Sequence, residues 1–423
     1  LLIVTALLPV GAYLALQMPA LQTWTARKAA ASLTERLKTE VSIGKVYYVF
    51  FNKLIIKDIA ILYPEKDTLF NCSKISLSLS PGDIIEGRLN FGKLHLYNGV
   101  FNLVNIDDST TNIASLLNKF SGDSDKRKQK SSPELNAQEV KLSNFRFTLQ
   151  NPFNDSTLKD ERVINFASLS LSNIDIDIKR LSMVNDTLNA TISKIKFNEK
   201  CGFRLVNFSG EAKIASNGIN IDNLLIDDGN SEVNASFFSM KYSGIKDFSD
   251  FLNKVSLEAN FINSFVDFNT VSYFAPGLSK NKLAFYLTGK VSGTISNLKS
   301  DSLNVISETG LTNALIGAHM SGLPESDSTI LDINVIYSST TSRDLSRVIS
   351  SLNSSEPITF LENLSPLVRY SFTGKLNGYF NDFKVNGYLK SNTGDLFADV
   401  NVKTTGSAGQ LDLKGNIKSE NLD

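Results

Sequence analysis

The side chains that most often carry chemistry are sparse and scattered in this chain. Its two histidines, His95 and His319, have no cysteine or second histidine close by, whereas a metal site needs clustered His, Cys or carboxylate ligands. Each histidine therefore reads as a strand or loop residue. Asp175 and Asp177 form an Asp-x-Asp pair of the kind some sugar-nucleotide enzymes place on Mg²⁺, but strand alternation alone puts two such residues on one face. Asp227-Asp228-Gly229-Asn230 resembles part of a calcium loop; it lacks the regular ligand spacing and the closing Glu, and reads as a turn. No phosphate-binding glycine loop and no Gly-x-Ser-x-Gly elbow occurs. A Ser-His-Asp site would have to use His95 or His319, and His319 sits in LIGAHMSGLPESD, a strand running into a turn. The Asn-x-Ser/Thr sequons at Asn185, Asn189 and Asn234 are what chance produces in an Asn- and Ser-rich chain. No catalytic, cofactor-binding or metal-ligating residue is expected, and the protein reads as a non-enzyme.

Composition points to structure instead. The 423 residues are 42% hydrophobic and 20% charged, normal for a folded chain of two or three domains. Lys plus Arg and Asp plus Glu stand at 43 each. A nucleic-acid binder usually carries a basic excess that displaces counterions from phosphates, so no nucleic-acid partner is expected. The chain has 27 Phe and 12 Tyr but one Trp, and its aromatic and β-branched residues alternate with Ser, Asn, Asp and Thr, which suits half-buried strands. Cys72 and Cys201 read as two unreactive thiols, with one disulfide in an oxidising compartment as the alternative.

Residues 1–18, LLIVTALLPVGAYLALQM, carry no charge. The length is at the lower limit for a membrane-spanning helix, and Pro9 and Gly11 are tolerated in one. A transmembrane anchor is expected over 1–20, with Leu2, Ile3, Val4, Leu7, Leu8, Leu14 and Leu16 as its apolar residues; a cleaved signal peptide is the alternative, though no small-x-small cleavage site follows closely. Residues 21–40 predict an amphipathic helix with Leu21, Trp24, Leu33 and Leu37 broadly on one face. It either packs on the start of a sheet, the favoured reading, or lies at the membrane interface with Trp24 near the headgroups. The chain opens on Leu and stops in mid-pattern at Asp423, so a fragment cut at both ends is expected.

From Val41 the hydrophobic period becomes two. KISLSLS (74–80) puts Ile75, Leu77 and Leu79 on one face, KLHLY (93–97) Leu94 and Leu96, and 145–149 Phe145, Phe147 and Leu149. LSLSNIDIDIK (169–179) has Leu169 and Leu171 at odd positions but Ile174, Ile176 and Ile178 at even ones. Such a switch marks a bulge or a new strand. Leu331, Ile333, Val335 and Tyr337 continue the theme, followed by Val400 and Val402, then Leu411 and Leu413. One-faced alternation predicts antiparallel sheet with one solvated side. Helical stretches are few: 111–120, 246–254, 343–352 and 358–367. A turn signature rich in Asp, Ser and Thr recurs at 64–69, 152–158, 184–188 and 324–330, and 121–136 predicts a flexible polar loop whose KRKQK run is solvated, with contact to anionic lipid headgroups as the alternative. The predicted helices are too short to cover the apolar side of so much sheet.

The order of these features carries a resemblance. An apolar anchor leads through an amphipathic stretch into TEVSIGKVYYVFFNKLIIKDIAIL (39–62), DTLFNCSKISLSLS (67–80), LNFGKLHLYNGVFNLV (89–104) and DDSTTNIASLL (107–117). This is similar to the amino-terminal region of the AsmA-like superfamily, in its TamB (translocation and assembly module) branch of Bacteroidetes type. LTGKVSGTISNLKSDSLNV (287–305), AHMSGLPESDSTILDINV (318–335) and FTGKLNGYFNDFKVNGYLKSNTGDLFADVNV (372–402) share that style. The resemblance implies a mainly β fold, an elongated, curled antiparallel sheet or β-taco, behind a transmembrane helix and a few short helices. It divides the chain into an AsmA-like region over 41–120 and a β-groove over 137–423 that continues beyond Asp423. It further implies an inner-membrane anchor, a periplasmic location, phospholipid acyl chains as cargo, and an outer-membrane β-barrel assembly protein as partner through a carboxy-terminal region not contained in the chain. Candidate groove residues are Ile75, Leu77, Leu79, Leu94, Leu96, Phe145 and Phe147, together with Ile174, Ile176, Ile178, Leu331, Ile333 and Val335. The same positions would instead be buried in a structural or adhesive array of closed β-sandwiches that binds protein partners.

Overall fold

The computed structural model describes residues 18–37, 39–49, 52–63, 67–79, 89–107, 110–121, 135–154, 162–184, 186–275, 283–325, 328–352, 368–392, 394–405 and 410–420. The expected anchor residues Leu2 to Leu16, the helix expected at 358–367, Asn185 and the KRKQK run lie outside these, as does the Leu79 side chain. Strand makes up 70% and helix 14%. No helix among the described residues is long and apolar enough to cross a membrane. Two compact units divide between Ser209 and Gly210, inside strand β8 (Arg204–Ala215). The polar stretch 121–136 separates no such unit, because the strands on either side of it pair with each other.

The first unit is a ladder of seven strands in chain order: β1 (Val41–Val49), β2 (Lys53–Tyr63), β3 (Asp67–Leu79), β4 (Leu89–Val104), β5 (Leu135–Gln150), β6 (Ser168–Val184) and β7 (Thr187–Glu199). Every pair is antiparallel except β4–β5, which is parallel. Alternation within a strand cannot reveal its neighbour's direction. A crossover connection is needed to return the chain to the same end, and α2 (Asn112–Ser121) lies in it. Thr111 caps that helix, its Oγ1 accepting from the Ala114 amide at 3.2 Å. Leu116 then packs on Leu69 with Val41, Ile61, Phe101 and Ile113 around them.

Helix α1 (Pro19–Leu37) runs along the outer edge of β1 and satisfies backbone groups that have no strand partner there. Thr23 Oγ1 donates to the Val46 carbonyl at 3.0 Å and accepts from its amide at 3.1 Å. Gln22 Oε1 accepts from Tyr48 N, and Arg27 donates to the Gly44 carbonyl. Thr34 Oγ1 accepts from Val41 N at 3.0 Å. An edge covered this way cannot template pairing with another strand. The helix thus packs on the start of the sheet, and Trp24 remains 54% exposed.

A line of left-handed residues crosses this ladder. Asp58, Asn98, Asn144 and Asn173 have φ of 54°, 51°, 56° and 52°, a conformation that Asn and Asp tolerate better than other side chains with a Cβ. Asn144 Nδ2 donates to Asn98 Oδ1 at 2.8 Å, and the Asn144 amide donates to Asp175 Oδ1 at 2.7 Å. Each reverses the inside-outside parity of its strand. The switch read in 169–179 is therefore a bulge within β6, at Asn173.

The second unit is antiparallel throughout, from β9 (Gly218–Asp227), β10 (Glu232–Lys241), β11 (Ser256–Asp267), β12 (Ala284–Thr294) and β13 (Asn297–Ser307) to β14 (Asn313–Ser321) and β15 (Ile330–Thr341). It continues through β16 (Arg369–Tyr379), β17 (Asp382–Ser391), β18 (Gly394–Thr405) and β19 (Gln410–Glu420). The stretch read as helical at 246–254 is a 3₁₀ turn, Ile245–Asp250, running into α3 (Phe251–Lys254). Two helices dock through buried aspartate contacts. In α4 (Phe268–Ser272) Thr270 donates to Asp228 Oδ2 at 2.5 Å. In α5 (Ser342–Leu352) Asp344, 3% exposed, accepts from Ser307 and Thr309 at 2.7 and 2.8 Å, and from Thr312. Burial pushes the Asp344 carboxyl up, but these hydroxyls outweigh it and hold the group below its ordinary range.

Candidate functional site

Directly paired residues point to the same side of a sheet, so the registers define continuous rows. In the first unit Val46, Ile56, Ile75, Leu96, Leu142 and Ile176 form one row across β1–β6. Leu54, Leu77, Leu94, Val140, Ile178 and Ile192 form the next. Beyond the left-handed line the same face continues through Ile61, Phe70, Phe101, Phe147 and Leu171. Cys72, Phe145 and Ile174 are buried at its centre, with Ile75, Leu96, Phe147 and Ile176 packed against them.

The second unit has its own rows. One runs unbroken from β9 to β14 through Ile219, Met240, Leu257, Gly293, Leu298 and Met320. It continues through Leu331, Gly378, Phe383, Val402 and Leu413 to β19. Beside it lie Ala318, Ile333, Leu376, Val385 and Val400. The opposite face is charged, with Lys290–Glu258 at 2.5 Å and Lys384–Asp399 at 2.8 Å.

The face is only partly covered. Phe145, Ile174 and Val335 are 5%, 8% and 9% exposed, but Ile75, Leu77, Leu94, Leu96, Phe147, Ile176, Ile178, Leu331 and Ile333 are half-buried. The core of a closed sandwich would bury them further. In neither unit do the two end strands pair with each other among the described residues. Of the residues picked from the sequence, Ile75, Leu77, Leu94, Leu96, Phe147, Ile176, Ile178, Leu331 and Ile333 fall on these rows, Phe145 pairs with Ile174 and Val335 with Ile316 outside them, and the Leu79 side chain lies outside the described residues. Phe70, Leu142, Leu376 and Phe383 belong to the rows too; the signal that finds them is register across strands, which a single strand's alternation lacks.

The polar groups are engaged otherwise. Asp175 pairs with Lys196 at 2.7 Å and Asp177 with Lys141 at 3.4 Å. No metal-holding cluster of His, Cys, Asp and Glu occurs among the described residues. Asp227 and Asp228 close the β9–β10 turn, accepting from the Gly229, Asn230 and Ser231 amides. His319 on β14 is exposed and meets Asn297. Both thiols are free; burial, helped by Glu199, pushes Cys201 up to about 11. A notch of about 260 Å³ at the left-handed line, lined by Asn98, Asn144, Phe145 and Arg146 among others, falls short of the roughly 300–1,000 Å³ of ordinary ligand pockets.

His95 Nε2 lies 3.3 Å from Glu139, which also takes Lys141 at 2.5 Å and Lys93 at 3.4 Å. The Lys141 hydrogen bond, against the cost of burial, holds the Glu139 carboxyl down at about 2. A folded value below the unfolded one stabilises fully above the unfolded range, and the gain is lost as pH falls through the folded value. Glu139→Gln should therefore cost about 1 kcal/mol at pH 7, given screening at this partly exposed network. In hydrogen exchange of β4–β6 followed through increasing urea, that difference should shrink below pH 4 and vanish near pH 2; a pH-independent difference would contradict the assignment.

No protein-family model matches the chain, and neither curated proteins nor solved structures give a match.

Proposed function

We propose that the protein is a non-enzymatic, inner-membrane-anchored component of a Gram-negative envelope, of AsmA-like, TamB type. Its elongated, curled sheet shields phospholipid acyl chains in transit through the periplasm and supports outer-membrane protein assembly. The observation that carries this reading is the row running from Ile219 to Leu413 on one open, half-exposed sheet face.

The energetics favour such a surface. Each methylene exposed to water costs roughly 0.8 kcal/mol, so two long chains cost on the order of 20 kcal/mol. An apolar face removes most of that without a chemical step. Rows repeating every ~4.8 Å offer a chain equivalent sites at each strand, so no single position has to bind tightly.

Photocrosslinking amino acids at Leu77, Ile176 and Ile333, with Asn334 on the charged face as control, test the reading in membranes containing the full chain. Phospholipid adducts at the three row positions and none at Asn334 are expected. Adducts to protein alone would replace the conduit by a protein-binding array.

A further inference from the structure

The neutral total charge hides a basic surface on the side of the first unit that faces away from the apolar rows. Lys45, Lys57 and Lys74 stand directly opposite one another on β1, β2 and β3. Like charges in that relation repel and cost stability. Other lysines of this face do have carboxylates: Lys93 and Lys141 share Glu139, and Lys196 takes Asp175. Among the described residues no carboxylate pairs with Lys45, Lys57 or Lys74. Asp58, next to Lys57, lies against Gly44 and makes no ion pair with the row. Aromatic rings lie beside the row, Tyr47 5.8 Å from the Lys57 ammonium and Tyr97 5.2 Å from that of Lys74.

We infer that this lysine row is a docking surface for anionic lipid headgroups at a bilayer surface. A pleated face presents ammonium groups at ~4.8 Å intervals, and strongly hydrated point charges suit a diffuse anionic layer better than the bidentate geometry of arginine would. The adjoining helix supplies the second half of an interfacial contact. Arg27 ties α1 to Gly44, the residue before Lys45. On α1 and just before it, Trp24 and Met18 are 54% and 59% exposed, and the Lys28 ammonium lies 4.4 Å from the Trp24 ring. Exposed Trp beside Lys is the composition of the headgroup boundary. The row does not depend on what occupies the opposite, apolar face.

The test is amine acylation of the full chain in nanodiscs of phosphatidylcholine alone or with phosphatidylglycerol, read by mass spectrometry at each lysine. Labelling of Lys45, Lys57 and Lys74 should fall about threefold or more in the anionic discs. It should recover in 0.5 M salt, where the Debye length is only about 4 Å, while Lys290 and Lys384 of the second unit stay constant. Equal labelling in both discs would overturn the inference, as would protection produced only by an added single-stranded oligonucleotide.

Discussion

Phe145→Ala is expected to destabilise the first unit by about 3–5 kcal/mol, the range for removing a buried aromatic ring. The ring is 5% exposed and sits with Cys72 and Ile174 at the centre of the apolar face. It also covers Gly99, directly opposite on β4, where a Cβ would collide with the ring. Deleting the ring therefore opens a void and uncovers the glycine backbone of the only parallel pair among the described strands. Because the chain holds two units, the measurement must be local: hydrogen exchange of β3–β6 read by mass spectrometry in increasing urea. Gly99→Ala should weaken the same strands, since it displaces the ring without removing it. Loss of under about 1 kcal/mol for Phe145→Ala would mean that the cluster does not hold these strands together.

That cluster shows what could be read before any coordinates. Strand alternation placed Ile75, Leu96, Phe145, Phe147 and Ile176 on apolar faces, and the parity change before Ile174 pointed to a bulge or a new strand, of which the structure has the bulge, at Asn173. The matching reversals at Asp58, Asn98 and Asn144 were harder to see, because each residue looks like an ordinary polar position on its own strand. Only the register reveals them as one line. The parallel β4–β5 pairing was hidden for a related reason: direction is set by the connection, and the 121–136 stretch carries no periodicity. The total charge hid a local feature as well. A zero sum is an average, and the lysines on β1–β3 are set opposite one another by register alone.

Ile333→Asp separates conduction from static binding. Ile333 lies in the row between Ala318 and Leu376, and Leu257 on β11 and Val402 on β18 flank it in the neighbouring row. Seven strand spacings of ~4.8 Å put those two about 34 Å apart, whereas a leaflet's acyl chains span only about 15 Å. One immobile lipid cannot reach both crosslinkers. A carboxylate within hydrocarbon costs about 3 kcal/mol, which lowers occupancy at that point on the order of a hundredfold. Adducts should then fall at least tenfold at whichever of Leu257 or Val402 lies downstream and persist at the other, so the experiment also reads direction. Asn334→Asp, on the charged face, should leave both unchanged. Equal adducts at both positions in Ile333→Asp would mean independent sites without passage, and equal loss at both would mean that lipid does not travel along the rows; either result would reduce the conduit to a surface that merely holds lipid.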